Sequence, residues 1–310
     1  MTTSINLVDK PVHKKKVFLT LSRRRMLLEY MLLLPAFITV TGIIIYPIGL
    51  NILMSFQKVS LGKRPSEFLG LSNYIKMIQD QQFTDALVVT LIFTVFGITG
   101  QYLIGLITAL VLNQNFHGRT LARMLIVLPW AVPGVVASIV LAWMFDYSYG
   151  IVNYFIKATG LVVESIPWLA HATFSPIAVI FALIWKGYPF ITLMILAGLQ
   201  SIPEELYDAA KVDGAGWLHR FKYITMPALS SVNTIAIILN AVWLFREFAI
   251  PYVMTGGGPA RATQTIGIMI YQTAFEEFNF GYASAIGVFT LLVSIIFSVV
   301  IFKRQKGFYQ

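Results

Sequence analysis

The sequence predicts an all-α integral membrane protein with six transmembrane helices, and three observations carry that expectation. Hydrophobic residues make up 57% of the 310 and charged residues 12%, well under the roughly 25% charged that is usual in soluble domains. Apolar runs long enough to cross a bilayer core, which takes about 20 residues per helix, recur at 30–56, 86–112, 124–145, 174–199, 229–254 and 283–302. The alternating segments of about ten residues that build a membrane β-barrel do not appear.

Residues 1–27 form a basic tail carrying Lys10, Lys14, Lys15, Lys16, Arg23, Arg24 and Arg25. The apolar run behind it is far longer than the roughly 7–15-residue core of a secretion signal, so it reads as a retained first span. Residues 28–310 then make one integral domain, because no Gly/Ser-rich linker or repeat divides them. With six spans, the two termini lie on the same side of the membrane as segments 113–123 and 200–228. Lys and Arg number 15 on that side and 6 in the other loops, which places both termini in the cytoplasm. The net charge of +9 is therefore an orientation signal and an attraction to anionic lipid. It is not a nucleic-acid surface, since the basic residues flank apolar runs instead of sharing one soluble face.

The three outer loops are short. Residues 68–83, 147–162 and 255–283 are rich in aromatics and glycines, and each has room for a short helix lying at the membrane surface. The Thr-Gly-Gly-Gly-Pro run at 255–259 is a loop by composition: it ends the fifth span, or it is a flexible element that touches an outside partner. Pro129 and Pro133 predict a kink in the third span.

Between spans four and five the sequence turns polar. Ser201, Pro203 and Glu204 resemble a capping box that opens a helix, with Leu206, Ala209 and Ala210 on one face and Glu204, Glu205, Asp208 and Lys211 elsewhere. Asp213-Gly214-Ala215 supplies a turn. A second amphipathic helix carries Trp217, Phe221 and Ile224 beside Arg220 and Lys222, and Pro227 is expected to stop it. A short helix-turn-helix with small side chains outermost is a knob fit for a socket on another protein, though a plain connecting loop has the same composition.

Ionisable groups inside a span normally face a cavity or one another. Lys186 lies in span four, Arg246 and Glu247 in span five. Asn240, Trp243, Leu244 and Glu247 recur at helical spacing on one stripe, and Lys186, Gly187 and Phe190 share a face of span four. Aromatic platforms beside amides and carboxylates suit the C–H faces and hydroxyls of a sugar. Packing of Phe190 and Trp243, or a bridge from Lys186 to Glu247, would leave the same pattern, as would a self-contained ion-gradient transporter with Lys186, Arg246 and Glu247 as its charged path.

Chemistry is excluded more firmly. Cysteine is absent, which removes thiolate metal sites and cysteine nucleophiles. Gly62-Lys63 lacks the upstream glycine and following Ser or Thr of a phosphate loop. The four histidines, His13, His117, His171 and His219, fall in tails or loops. No catalytic residue, bound cofactor or metal is expected.

The run Tyr207-Asp208-Ala209-Ala210-Lys211-Val212-Asp213-Gly214-Ala215, followed by Phe221, Ile224-Thr225 and Met226-Pro227, resembles the signature cytoplasmic loop of binding-protein-dependent ABC importer permeases. The resemblance extends over nearly the whole chain and is closest to the sugar-importing branch, of maltose and glycerol-phosphate type; the stretches 32–56, 68–78, 128–153 and 255–265 carry it too. Asp208 stands where glutamate is usual, Met226 where leucine is usual, Ala249 where many relatives have aspartate, and Trp217 one place early.

The resemblance implies a type I importer permease fold and several partners: a second homologous permease, two cytosolic ATPase subunits that bind ATP and Mg, an extracytoplasmic solute-binding protein and a sugar. It implies that Glu204, Glu205, Asp208, Ala209, Ala210, Asp213, Gly214, Ala215 and Pro227 couple to the ATPases. Lys186, Gly187, Phe190, Asn240, Trp243, Leu244 and Glu247 would line the substrate pathway.

Overall fold

The computed structural model describes residues 21–59, 66–160 and 162–306. Lys10, Lys14, Lys15, Lys16 and the Gly62-Lys63 pair lie outside them, as do the side chains of Arg23, Arg24 and Arg25. The chain divides into compact units at residues 1–50 and 51–310. In the first, α1 (Leu21–Val40) passes through a π turn (Thr41–Ile45) into the start of α2 (Tyr46–Ser55). Residues Leu28–Ser55 form one apolar helical run of 28 residues.

The second unit holds the end of α2 and then a two-residue hairpin, β1 (Gln57–Lys58) antiparallel to β2 (Glu67–Phe68). There follow α3 (Ser72–Gln79), α4 (Gln81–Asn113), α5 (Arg119–Ala131), α6 (Gly134–Met144), α7 (Ile151–Ala158) and α8 (Phe174–Gln200). Next are α9 (Glu204–Val212), α10 (Trp217–Arg220), a π turn (Phe221–Thr225), α11 (Met226–Ala228), α12 (Ser230–Phe245), α13 (Ala249–Thr255), α14 (Ile266–Tyr271), a third π turn (Gln272–Glu276) and α15 (Phe280–Lys306). Each of the three segments expected to be an outer loop contains a short helix: α3, α7 and α14.

Four helical runs are long and apolar enough to span by themselves, and two bent pairs pass the same length and composition test together: α5 with α6 at 95°, and the 217–228 run with α12 at 65°. The described residues thus hold four spans, or up to six if each bent pair is one span. The kink expected near Pro129 and Pro133 is a full break. A proline ring clashes with the carbonyl four residues back and has no N–H to give, and Val132, just before Pro133, takes the extended conformation (φ −67, ψ 133) that proline imposes on its predecessor.

Span five departs from the expectation of one helix over 229–254. α12 ends at Phe245, residues 246–248 form a break, and α13 follows. Pro251 is the reason we assign, since a continuous helix would drive its ring against the carbonyl of Glu247.

α4 and α8 pack along their length because glycines remove side chains where they cross. A Cβ on Gly105 would lie 2.7 Å from Ile191 Cγ2, and Ile191 is fully buried. Polar buttresses fix the remaining elements. Asp80 caps α4 through the Gln82 N–H at 2.9 Å and accepts the Tyr282 hydroxyl of α15 at 2.6 Å. Thr90 Oγ1 of α4 accepts the Ile266 N–H of α14 at 2.9 Å.

Two local expectations need correction. Ser201 is not a helix cap: its hydroxyl donates back to the Gly198 carbonyl at 2.8 Å, and α9 starts from Pro203 with no side-chain cap. Ser201→Ala should therefore shift stability by no more than about 0.5 kcal/mol in a thermal unfolding series, against the roughly 1 kcal/mol of a lost cap. Nor does Pro227 stop the second amphipathic helix. It begins α11, behind a π turn that leaves its missing N–H without consequence, and the chain bends two residues later at Leu229.

Candidate functional site

The breaks in spans three and five face one cavity, and each is closed by a charged side chain. At the end of α5 the carbonyls of Pro129, Trp130 and Val132 have no helical partners, since no N–H continues the ladder through the break. Lys186 Nζ, from α8, donates to all three at 3.0, 2.7 and 2.7 Å. An ammonium has three protons, so its donor capacity is filled, and a helix C-terminus is where a cation is favoured. In span five, Glu247 Oε1 accepts the Ile250 N–H at 3.0 Å, placing an anion on the N-terminal end of α13. Lys186 and Glu247 form no ion pair with each other; the one salt bridge among the described residues joins Lys211 to Asp208.

The cavity between these breaks encloses about 220 Å³. All seven pathway residues named from the sequence line it: Lys186, Gly187 and Phe190 from α8, Asn240, Trp243 and Leu244 from α12, and Glu247 from the break. Sequence reasoning missed Gln101, Trp130, Leu183 and Ile250. Gln101 was findable, as a lone carboxamide deep in a 33-residue apolar helix that intramembrane polarity marks as functional.

Gln101 organises the polar wall. Its Nε2 donates to the Leu183 carbonyl at 2.7 Å, and its Oε1 accepts Asn240 Nδ2. Gly187 is what makes room for it, because a Cβ there would sit on the Gln101 amide. The opposite wall is aromatic: Phe190 lies 4.8 Å from Trp243 and 6.4 Å from Trp130 between ring centroids. Both indoles are about half exposed, and their N–H groups make no hydrogen bond among the described residues. An amide pair facing three rings can hold a small polyhydroxylated ring, its apolar face on the indoles and its hydroxyls on the amides.

Arg246 points elsewhere. It lines a separate groove of about 230 Å³ with Phe245, Gly267, Gly287, Thr290 and Ser294.

The polar segment between α8 and α12 is a helix-turn-helix, as expected. α9 ends in a Schellman turn: Ala215 N–H donates to Ala210 O at 2.8 Å and Gly214 N–H to Lys211 O at 3.0 Å. Gly214 has φ +79, which glycine adopts without steric cost. Tyr207 Oη meets Thr225 Oγ1 at 3.0 Å, tying the two helices together. The inward face is Tyr207 with Ala210, while Leu206 and Ala209 are exposed; the predicted small-residue face is thus split between them. Glu204, Glu205, Asp208 and Asp213 are exposed. Asp208 Oδ1 bonds Lys211 Nζ at 2.8 Å, a contact between exposed groups that is worth little to stability. Ala215 is half-buried and Pro227 exposed. Val212, Trp217 and Leu218 add apolar surface to the same knob.

Comparison with known proteins bears on the family. Residues 101–304 match the family described as binding-protein-dependent transport system inner membrane component. The chain is 36% identical to the sulfoquinovosyl glycerol transport system permease protein SmoG of Agrobacterium fabrum, over 96% of each chain. It is 35% identical to the trehalose/maltose transport system permease protein MalF of Thermococcus litoralis, over 91% of this chain and 95% of that one. A crystal structure of a bacterial ABC transporter involved in the import of the acidic polysaccharide alginate superposes with a TM-score of 0.80 at 22% identity, over 93% of this chain and 98% of its own. A second, in complex with an alginate pentasaccharide-bound periplasmic protein, gives 0.77 at 22% identity. At that identity the likeness is one of fold.

Proposed function

Because this chain belongs to the binding-protein-dependent transport system inner membrane component family, we propose that it is one of two permease subunits of an ATP-driven importer of sugars or sugar derivatives. The observation that carries the substrate class is the cavity: three aromatic rings face the Gln101–Asn240 amide pair, with no catalytic constellation beside them. The names of the relatives, which speak of a sulfoquinovosyl glycerol and of trehalose and maltose, agree with a ligand of one or two rings. At about 220 Å³ the cavity is smaller than the roughly 300–1,000 Å³ usual for ligand pockets, as expected of a half-site that a second permease completes.

In this reading both termini and the 200–228 segment face the cytoplasm. The knob of Glu204, Glu205, Ala209, Asp213 and Gly214 docks on an ATPase subunit, one of a pair that binds ATP and Mg, and an extracytoplasmic binding protein delivers the sugar. Closure of the ATPases moves the knob, and the helices on either side of it alternate the cavity between the two faces of the membrane. An ion-gradient transporter is disfavoured, because Lys186 and Glu247 are committed to helix ends and do not form a charged path.

The test is co-expression with candidate ATPase, permease and binding-protein partners, purification, and ATP hydrolysis in proteoliposomes. Hydrolysis stimulated several-fold by binding protein loaded with maltose, trehalose or sulfoquinovosyl glycerol is the expected result. A chain that purifies alone and moves solute down an ion gradient would overturn the proposal.

A further inference from the structure

Of Lys186, Arg246 and Glu247, two are spent on helix ends: Lys186 on the carbonyls of α5, and Glu247 on the N–H of Ile250. Arg246 is not. Its side chain is exposed and makes no hydrogen bond or ion pair among the described residues. It faces the groove of about 230 Å³ between the end of α12, α14 and α15, and it takes no part in the lining of the central cavity.

The α15 wall of this groove is made by Gly287, Thr290, Leu291 and Ser294, whose i, i+3, i+4, i+7 spacing places them on one stripe of the helix. Three of the four are small. The hydroxyls of Thr290 and Ser294 donate to carbonyls of their own helix, those of Ile286 at 2.9 Å and Thr290 at 2.8 Å, so their protons are satisfied within α15. What remains at the wall is a low surface of the kind that lets the backbone of another membrane helix come close.

Depth decides what can answer the charge. The apolar stretch of α15 is Phe280–Val299, 20 residues, or about 30 Å at 1.5 Å per residue, which matches the roughly 30 Å thickness of a bilayer core. Thr290 stands about 15 Å along it from Phe280, so the groove lies near mid-membrane. Lipid phosphates at either surface are remote from that level. An unpaired guanidinium in hydrocarbon is costly, and its planar fork fits a carboxylate through two parallel hydrogen bonds. A carboxylate reaches such a depth on a protein helix.

We propose that this groove receives a transmembrane helix of the second permease, and that Arg246 pairs there with an aspartate or glutamate near the middle of that helix. The assignment rests on the two-permease reading above. It adds a selection rule to it: a permease with an apolar or basic residue at the facing position leaves the guanidinium unpaired and is rejected.

The test uses the complete transporter, purified through a tag on this chain. Arg246→Glu should lower recovery of the second permease about tenfold, and Arg246→Lys far less. Changing each Asp and Glu in the partner's spans to Arg, one at a time, should restore recovery with Arg246→Glu for one of them. Unchanged recovery in both Arg246→Glu and Arg246→Leu would overturn the pairing, as would a second permease whose spans carry no Asp or Glu. The chain has no cysteine, so Thr290→Cys with Arg246 intact gives a readout that does not depend on the Arg246 variants reaching the membrane. It should form a disulfide with a cysteine placed within one turn of the partner's acidic residue. A disulfide to a second copy of this chain, or none with any cysteine along the partner's spans, would overturn the proposal. So would an intact permease pair from which Arg246→Leu removes only bound anionic lipid, read by mass spectrometry of the purified complex. A wild-type chain that recovers no second permease would remove the two-permease reading and the groove assignment together; a recovered partner indifferent to every variant would remove the groove assignment alone.

Discussion

Lys186→Met should destabilise the protein by about 2–5 kcal/mol and abolish transport, because three carbonyls at the end of α5 lose their donor at once. Single hydrogen bonds inside membrane proteins are worth roughly 0.6 kcal/mol on average and up to about 1.7, and bonds to a charged group fall at the upper end. Methionine keeps the apolar stem and removes the ammonium, so the loss reports on those bonds. A thermal scan of the purified complex should show a lowered transition for Lys186→Met and partial recovery for Lys186→Arg, which restores the charge on a longer arm. Were Lys186 a ligand for an anionic substrate instead, the transition would stay in place and only substrate affinity would fall.

Gly214→Val should reduce uptake more than about 100-fold while leaving the amount of protein in the membrane unchanged. Nothing lies within 4 Å of a Cβ at this position, so the chain itself has space for the side chain. The obstacle is the backbone, whose φ of +79 costs about 1–2 kcal/mol for an L-residue and more for a β-branched one. Relaxing that angle breaks the Schellman bonds to Ala210 and Lys211 and redirects the 217–228 helix. Gly214→Asn should be intermediate, since asparagine visits the left-handed region more readily. Stimulated ATP hydrolysis in proteoliposomes, alongside an immunoblot of the membrane fraction, separates coupling from expression. Normal hydrolysis in Gly214→Val would deny the knob its proposed role.

The spans were legible because a bilayer demands long apolar runs, and the cavity residues on α8 and α12 because helical spacing alone brings Lys186, Gly187 and Phe190, or Asn240, Trp243, Leu244 and Glu247, onto shared faces. What spacing along one helix cannot give is the meeting of different helices. Gln101 reaches Asn240 across 139 positions, and Trp130 enters the cavity through the break that Pro133 makes. The partner of Lys186 was likewise hidden. A charge match pointed to Glu247, whereas the carbonyls that took it exist only once α5 has broken. Ser201 misled for a related reason: the capping pattern was present, but Pro203 already set the start of α9, and the hydroxyl found the nearer carbonyl of Gly198.

The placement of the knob has a mechanical consequence. It is spliced directly between α8 and α12, the two helices that supply most of the cavity wall, with the 65° elbow at Leu229 as the pivot. From that elbow to Trp243 is an arm of about 21 Å, fourteen residues at 1.5 Å each. A swing of about 10° at the pivot therefore carries the indole some 4 Å, roughly the thickness of an aromatic ring. If the knob is pushed as proposed, such gearing would turn a small movement at the foot of the helix into the insertion or withdrawal of one side chain, provided the elbow keeps its angle.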